Sequence, residues 1–444
     1  MATARSIALV ASAAIPAVMA ATSGSLTALA MNVAGLPEIL QNNDVPGDKT
    51  TNTASIGTKF SELGYDIIHV QEDFNYHATL YEYDTHPYRT ATSGGVPFGS
   101  GLNTLSNFDW IDFERIEWET CSNASGADCL TPKGFTFMRV KVDDGVWIDV
   151  YNLHTDAGTE DDDEAARTAN VQQVADHIDA YSTGNAVLVF GDTNSRYTRV
   201  ADNIALFTSQ NGLTDAWVEL EHGGTPPSEE SLCANPSTTP ACETVDKLFY
   251  RGSALLSLAA TAFSYASSDF LQANGSILSD HNPILVALDW SVAEQSLRQS
   301  DYWGGPHGTW FNDAPALAAA ASPPSPAGAS LTLRGAERLD AVALNLTSGS
   351  TVGAAHGGAG GTARVLALDA DETVTSVKLC QDKYEDHTRI FYMQATSSKG
   401  RSVEAGSATS DCVTYDAPSG FGLVGFAGRA GDEVDQLAAI WGRV

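Results

Sequence analysis

Asn32 in MNVAG, Glu72 in HVQED, His154 in NLHTD, Asp192 and Asn194 in FGDTN, and Asp280 and His281 in LSDHNP are the residues whose types could do chemistry together. Taken singly, each has a plain alternative: an Asp after a strand is commonly a turn or cap residue, and a His at a strand end is commonly just hydrogen-bonded. As a set they offer carboxylates, side-chain amides and two imidazoles. The oxygen donors Asn32, Glu72 and the aspartates suit Mg²⁺ or Ca²⁺ better than zinc. An oriented water, a proton donor or acceptor, and positive charge against non-bridging oxygens are what attack on a phosphate ester requires, and this inventory holds all three.

The elements that must position these residues are short apolar runs: LTALAMNV (26–33), YDIIHV (65–70), FTFMRVKV (135–142), GVWIDVYNLH (145–154), NAVLVFGD (185–192), DKLFYRG (246–252) and NPILVALDW (282–290). Their length and their content of Val, Ile and aromatics predict strands. The motifs fall at the ends of these runs, where one sheet edge can deliver them to a common crevice. Between two runs, Val171, Val174, Ile178 and Tyr181 recur at helical spacing, predicting an amphipathic helix over 163–181 that packs on the sheet. The acidic run Glu160 to Glu164 reads as the first turn of that helix, where carboxylates complement the dipole, rather than as a cation site. Alternating strands and helices predict a layered α/β domain.

The 444 residues allow two or three domains, and 24 Lys+Arg against 55 Asp+Glu leave a net charge of −31. That balance argues against general polyanion binding while leaving room for a local phosphate site built around metal. After Trp290 the chain changes character: glycines cluster in GGPHG and HGGAGG, runs such as SLTLRG and ARVLALD alternate, and a separate all-β domain is predicted. On composition alone, the Pro/Ser/Ala segment 318–330 is the interdomain linker.

The order N…QE…NLH…GDTN…SDHNP resembles the endonuclease/exonuclease/phosphatase superfamily over about residues 25–292, with GLNTLS (101–106) and VDKLFYR (245–251) also similar to its internal motifs. The resemblance implies an α/β four-layer sandwich of mixed sheets flanked by helices. It also implies site roles. Asn32 and Glu72 would hold the divalent cation, Mg²⁺ or another such as Ca²⁺ or Mn²⁺. Asp192 would orient the attacking water, and Asn194 would steady the phosphate. His154 and His281 would be the acid/base and phosphate-contacting pair, with Asp280 beside the metal or nucleophile and Asp246 fixing the tautomer of His281. Glu82 and Asp84 are the nearest candidates for a carboxylate partner of His154.

Residues 301–444 resemble a jacalin-like lectin through GTWFND (308–313), the HGGAGG turn and FAGRAGDEVDQLAAI (426–440). The implied fold is a β-prism of three four-stranded sheets, which moves the domain boundary to about residue 300 and makes 318–330 a loop insertion. The implied sugar site joins Gly308 to the loop carrying Asp432, Glu433 and Asp435. A carboxylate there can accept two sugar hydroxyl bonds while neighbouring backbone N–H groups donate. Asp432 and Glu433 stand where some members carry stacking aromatic rings, so the sugar preference does not carry over.

Arg5, the apolar stretch 7–19 and small residues up to Ala21 predict a secretory signal peptide over 1–21, followed by a catalytic domain over 22–296. Six cysteines fall in three near pairs, Cys121 with Cys129, Cys233 with Cys242 and Cys380 with Cys412, predicting three disulfides in an extracellular protein. Triplets at Asn123, Asn274 and Asn345 permit N-glycosylation. Tyr76, Tyr81, Tyr83, Tyr88, Phe98 and Trp110 are read mainly as core residues, with a substrate wall as the other reading.

These features together favour a secreted, Mg²⁺-dependent phosphodiesterase of sphingomyelinase or phospholipase C type. Its expected partners are a phospholipid or sphingolipid headgroup, glycans on the lectin, and a membrane surface. The alternatives are a secreted nuclease, with Lys133, Arg196 and Arg199 lining its groove, a phosphomonoesterase or inositol phosphate phosphatase, and, from another class, a non-catalytic lectin.

Overall fold

The computed structural model describes residues 21–40, 43–237, 239–292, 297–320, 322–347 and 355–444; the predicted signal segment therefore lies outside the described residues, apart from Ala21. Among the described residues the first domain has twelve strands. They are β1 (Ser23–Asn32), β2 (Ile67–Gln71), β3 (Tyr88–Arg89), β4 (Asn103–Ser106), β5 (Trp110–Glu117), β6 (Gly134–Asp143), β7 (Val146–His154), β8 (Ala186–Asp192), β9 (Thr214–Asp215), β10 (Asp246–Arg251), β11 (Leu256–Tyr265) and β12 (Ile284–Val292). One six-stranded sheet runs β11-β12-β1-β2-β4-β3, the other β5-β6-β7-β8-β10-β9.

Strand alternation sorts their side chains into three apolar spaces. Ala28, Ala30 and Ile67 of the first sheet meet Met138, Val150, Leu188 and Phe190 of the second. Leu29, Met31, Ile68 and Val70 face Ile56 and Phe60 of the helix Lys49–Leu63. Phe135, Phe137, Val187 and Val189 face Val171, Val174 and Ile178 of the helix Asp161–Tyr181. Three interlayer cores mean four layers, the expected sandwich.

All seven predicted strands form. Glu160 and Asp163 close a capping box on the helix Asp161–Tyr181, so the acidic run is the helix start it was read as. The edge strand β11 lies outside the predicted runs; its exposed face interleaves serines, alanines and threonine with the buried Leu256, Ala260 and Phe263, which dilutes the apolar signal. The three predicted disulfides are all present. The core assignment of the six aromatics is corrected: Tyr83, Tyr88 and Phe98 are exposed, and Tyr76, Tyr81 and Trp110 are only partly buried. They sit on short helices, loops and sheet edges, which have only one side to cover them.

The C-terminal domain is a prism of three sheets around a core that includes Leu331, Val342, Val377, Met393, Phe426 and Ile440. Two sheets have four strands, and the third has five because Leu297–Gln299 and Trp303–Gly304 both pair with Val434–Arg443. The prism thus begins just ahead of residue 301. A short helix, Ala314–Ala318, and the strand Ser330–Gly335 flank the segment read from composition as a linker, and both belong to the prism, so that segment does not join the two domains.

The two domains share an interface rather than a bare tether. Lys141 pairs with Asp301 at 2.5 Å, Trp310 Nε1 donates to the Thr183 carbonyl at 3.0 Å, and Gln436 Nε2 donates to Asp112 Oδ1 at 2.8 Å.

Candidate active site and sugar pocket

Sheet register brings the first site together. In the parallel pair β7–β8, His154 lies opposite Asp192, and in the antiparallel pair β8–β10, Asp192 lies opposite Asp246. On the facing sheet Asn32 ends β1 opposite Gln71, so Glu72 leaves β2 beside it. Asn32 Nδ2 bridges the two sheets by donating to Asp192 Oδ2 at 3.2 Å. The loop before β12 closes the ring: Ser279 Oγ donates to the Asn32 carbonyl at 2.6 Å, and the backbone N–H of His281 donates to Ser279 Oγ at 3.2 Å.

Asp192 is the hub. Its Oδ1 accepts the Asn194 backbone N–H at 3.0 Å, and its Oδ2 lies 3.4 Å from His154 Nε2 and 3.7 Å from His281 Nε2. His281 Nδ1 contacts Asp246 Oδ2 at 2.9 Å, so the other ring nitrogen is turned toward Asp192. Asn194 Nδ2 donates to the Thr155 carbonyl at 3.1 Å. Asp280 stands at the rim, accepting from Asn43 Nδ2 at 3.0 Å. Glu72 and Asn194 both adopt left-handed backbone conformations, with φ of 57° and 44°, a strain that clusters at functional sites.

The two imidazoles sit in opposite electrostatic settings. Burial opposes charge on His281, but Asp246 and Asp192 outweigh it and hold the ring well above its ordinary range. Burial pushes His154 well below that range, reinforced by Lys133 and His281. Asp192 is raised by burial to about 6, against the pull of His281. Burial also raises Glu72.

The residues present fit a divalent cation. Glu72 Oε2 is buried with no hydrogen-bond partner, an orphaned hard oxygen of the kind a metal satisfies, and Asn32 lies beside it. Asp192, Asp246 and His281 also converge within 4.8 Å, but the Nδ1 of His281 is engaged by Asp246 and a charged imidazolium cannot ligate. The Glu72 side of the cluster is the candidate cation position.

Among the described residues, no carboxylate stands behind His154. Its Nδ1 is buried and unpartnered, Asp84 is bound to His86 Nδ1 at 2.6 Å, and Glu82 points to solvent. The residue that reaches His154 is Lys133, 3.2 Å from Nε2 and ion-paired to Asp128. No local pattern marks Lys133; the Cys121–Cys129 loop that carries Asp128 sets it in place, anchored as Ser122 Oγ donates to Asp163 Oδ1 at 2.6 Å. Arg196 and Arg199, the other candidate groove cations, are paired to Glu230 at 2.9 Å and Asp202 at 2.7 Å.

In the prism, Gly308, Asp432, Glu433 and Asp435 line one pocket of about 280 Å³, together with His387 and Arg389. Gly308 has φ of 73°, and a Cβ there would meet Asp435 Oδ2 at 2.3 Å, so only glycine leaves that carboxylate room. Arg389 pairs with Asp435 at 2.8 Å and Arg338 with Glu433 at 2.5 Å; neither arginine carries a motif that singles it out. Burial raises Asp435 to about 6, with Arg389 opposing.

A model of the Endonuclease/Exonuclease/phosphatase family 2 matches residues 37–225, and a model of the Jacalin-like lectin domain matches residues 300–440. Sphingomyelinases of Mycobacterium bovis and Mycobacterium tuberculosis are 36% identical over 283 residues, covering 62% of this chain and 55% of theirs. The chain spans about half the length of these curated relatives. Among solved structures, sphingomyelinase C from Streptomyces griseocarneus is 18% identical, covering 60% of this chain and 99% of its own, with a TM-score of 0.42. AcmJRL, a mannose binding jacalin related lectin from Ananas comosus, is also 18% identical, covering 33% and 99%, with a TM-score of 0.28.

Proposed function

From a chain that joins an endonuclease/exonuclease/phosphatase-family domain to a jacalin-like lectin domain, we propose a secreted phosphodiesterase that cleaves the headgroup phosphoester of a sphingolipid or phospholipid at a glycan-bearing surface. The observation that carries the reading is the convergence of His154, the His281–Asp246 pair and Asn32 on Asp192, beside the orphaned carboxylate oxygen of Glu72. The identity to sphingomyelinases favours a choline-type lipid headgroup. Disulfides that persist in oxidising compartments favour secretion.

When bound at Glu72 and Asn32 with Asp280 near the rim, Mg²⁺ or another divalent cation supplies positive charge against the phosphoryl oxygens. Asp192 orients the attacking water and accepts its hydrogen. His281, kept charged between Asp246 and Asp192, is the proton donor of the set. His154 stays neutral and acts on the acceptor side, with Lys133 adding charge at its edge. Asn194 steadies the phosphate. The bond formed is water oxygen to phosphorus and the bond broken is phosphorus to the lipid oxygen, which leaves with a proton.

The nuclease alternative lacks support in the charge pattern, since Lys133, Arg196 and Arg199 are each committed to a carboxylate and net charge gives DNA no steering. Phosphorus NMR of the full chain with Mg²⁺ and mixed sphingomyelin and phosphoinositide vesicles tests the reading. Phosphocholine is expected to appear and to vanish with EDTA. Unchanged lipid phosphorus alongside turnover of DNA or soluble phosphomonoesters would reject it.

The lectin pocket is proposed to hold glycan through Asp435, and it carries its own pH dependence. A carboxylate accepts two hydroxyl bonds only when ionised, and Asp435 gains its proton as pH falls through about 6. Retention on immobilised glycan is expected to drop several-fold between pH 7.5 and pH 5, as this one acceptor takes up a proton. Equal retention at both values would detach Asp435 from sugar binding.

A further inference from the structure

Asn194 holds its left-handed backbone conformation through three contacts. Its N–H donates to Asp192 Oδ1 at 3.0 Å, its Nδ2 donates to the Thr155 carbonyl at 3.1 Å, and its own carbonyl accepts from Arg199 Nη2. A side-chain-bearing residue in this region costs free energy and persists only where its surroundings hold it there. The first two contacts join loops of the site to each other. The third brings in a charged donor from outside them, which makes the stronger kind of hydrogen bond.

Arg199 is in turn held by Asp202, whose side chain is fully buried. Arg199 Nε donates to Asp202 Oδ2 at 2.7 Å, so the two edges of the guanidinium serve the carboxylate and the Asn194 carbonyl at once. Asp202 gathers two further donors: Oδ2 accepts the Arg196 N–H at 2.8 Å, and Oδ1 accepts Arg167 Nε at 2.9 Å from the helix Asp161–Tyr181. Arg167 Nη1 then donates to the Gly158 carbonyl at 2.8 Å and the Asp156 carbonyl at 3.3 Å. A single buried carboxylate thus ties down the loop that follows β8 and Asp192 and the loop that follows β7 and His154.

We propose that Arg199, aimed by Asp202, is a positioning residue for phosphoester binding, fixing the Asn194 backbone so that its side-chain amide is presented to the phosphate. The inference rests on the phosphodiesterase reading above and adds to it the group that sets Asn194. A primary amide has two N–H bonds; one is committed to Thr155, and the direction of the other follows from the backbone that carries it. Were Asn194 to relax to a right-handed or extended backbone, its carbonyl would swing away from Arg199. A guanidinium suits the two contacts because its planar fork fixes both in one rigid unit, whereas an ammonium is a point charge on a flexible stem.

Arg199→Lys is the test, since a positive charge stays beside Asp202 and Arg167 still pairs with that carboxylate. With Mg²⁺ and a short-chain phosphodiester in detergent solution, kcat of the full chain is expected to fall on the order of tenfold, with KM within about twofold and thermal unfolding unchanged. In an Asn194→Ala background the same substitution is expected to cost under about threefold, because the amide it positions is gone. Hydrogen–deuterium exchange gives a readout independent of turnover: residues 193–199 are expected to exchange on the order of tenfold faster in Arg199→Lys, with β8 unchanged. A variant kcat within about twofold of wild type, a full loss that persists in the Asn194→Ala background, or unchanged exchange over 193–199 would each overturn the proposal. So would a lowered unfolding temperature with faster exchange throughout β8, which would make Arg199 a general structural residue. A wild type that cleaves no phosphoester would reject the enzymatic reading, and exchange alone would then decide whether Arg199 fixes Asn194.

Discussion

Asp192→Asn is expected to lower phosphodiester turnover on the order of 10³-fold while leaving thermal unfolding unchanged or slightly raised. The substitution keeps volume, and the new side-chain oxygen can still accept the Asn194 N–H now 3.0 Å from Asp192 Oδ1. What changes is the other edge. An amide NH₂ would face the Asn32 Nδ2 that now donates at 3.2 Å, and would offer His281 a donor where a carboxylate stood 3.7 Å away. The acceptor for water is lost, and one of the charges holding His281 protonated disappears. The stability expectation follows from sign. The folded-state pKa of Asp192 is raised to about 6, so its ionised form costs stability at neutral pH, and a neutral amide removes that cost. Turnover within threefold of wild type would refute the hub role. Lost turnover accompanied by a collapse in unfolding temperature would show a structural role instead.

Arg139→Met is expected to destabilise the chain by about 3–5 kcal/mol and to loosen the two domains together. The guanidinium is fully buried. It donates to Asp149 Oδ1 at 2.7 Å, to Asp112 Oδ2 at 3.2 Å and to the Tyr181 carbonyl at 3.0 Å, all in the first domain. Its face lies 3.8 Å over the Trp310 ring and 5.2 Å from the Tyr302 ring, both from the second. Methionine would fill much of the space yet leave Asp149 without its cation, with Arg429 still 3.4 Å from Asp112. Breaking a buried pair costs more than the pair ever contributed, because one charge is stranded. Denaturant unfolding would show a lower midpoint, and protease would cut more readily around 297–300. An unchanged midpoint would mean that the interface does not depend on this cation.

The order of residues by itself determines a great deal here. Apolar runs of strand length, a helical repeat at Val171, Val174 and Ile178, and paired cysteines are local signals, each written in neighbouring positions, and all are realised in the fold. Motif residues at strand ends are equally legible, because a strand must end where its apolar run ends. Their meeting is less so: His154, Asp192 and Asp246 come level only through the pairing of β7, β8 and β10, and Asn32 reaches Asp192 only because the two sheets face each other. Lys133 beside His154, the absence of a carboxylate behind that ring, Arg389 on Asp435, and the exposure of Phe98 leave no trace in neighbouring residues. Composition placed the aromatics in the core because aromatics usually bury, but burial is decided by what lies on the far side of a residue. Only the tertiary structure supplies that, since charge pairing and exposure depend on contacts between segments distant along the chain, which no local pattern encodes.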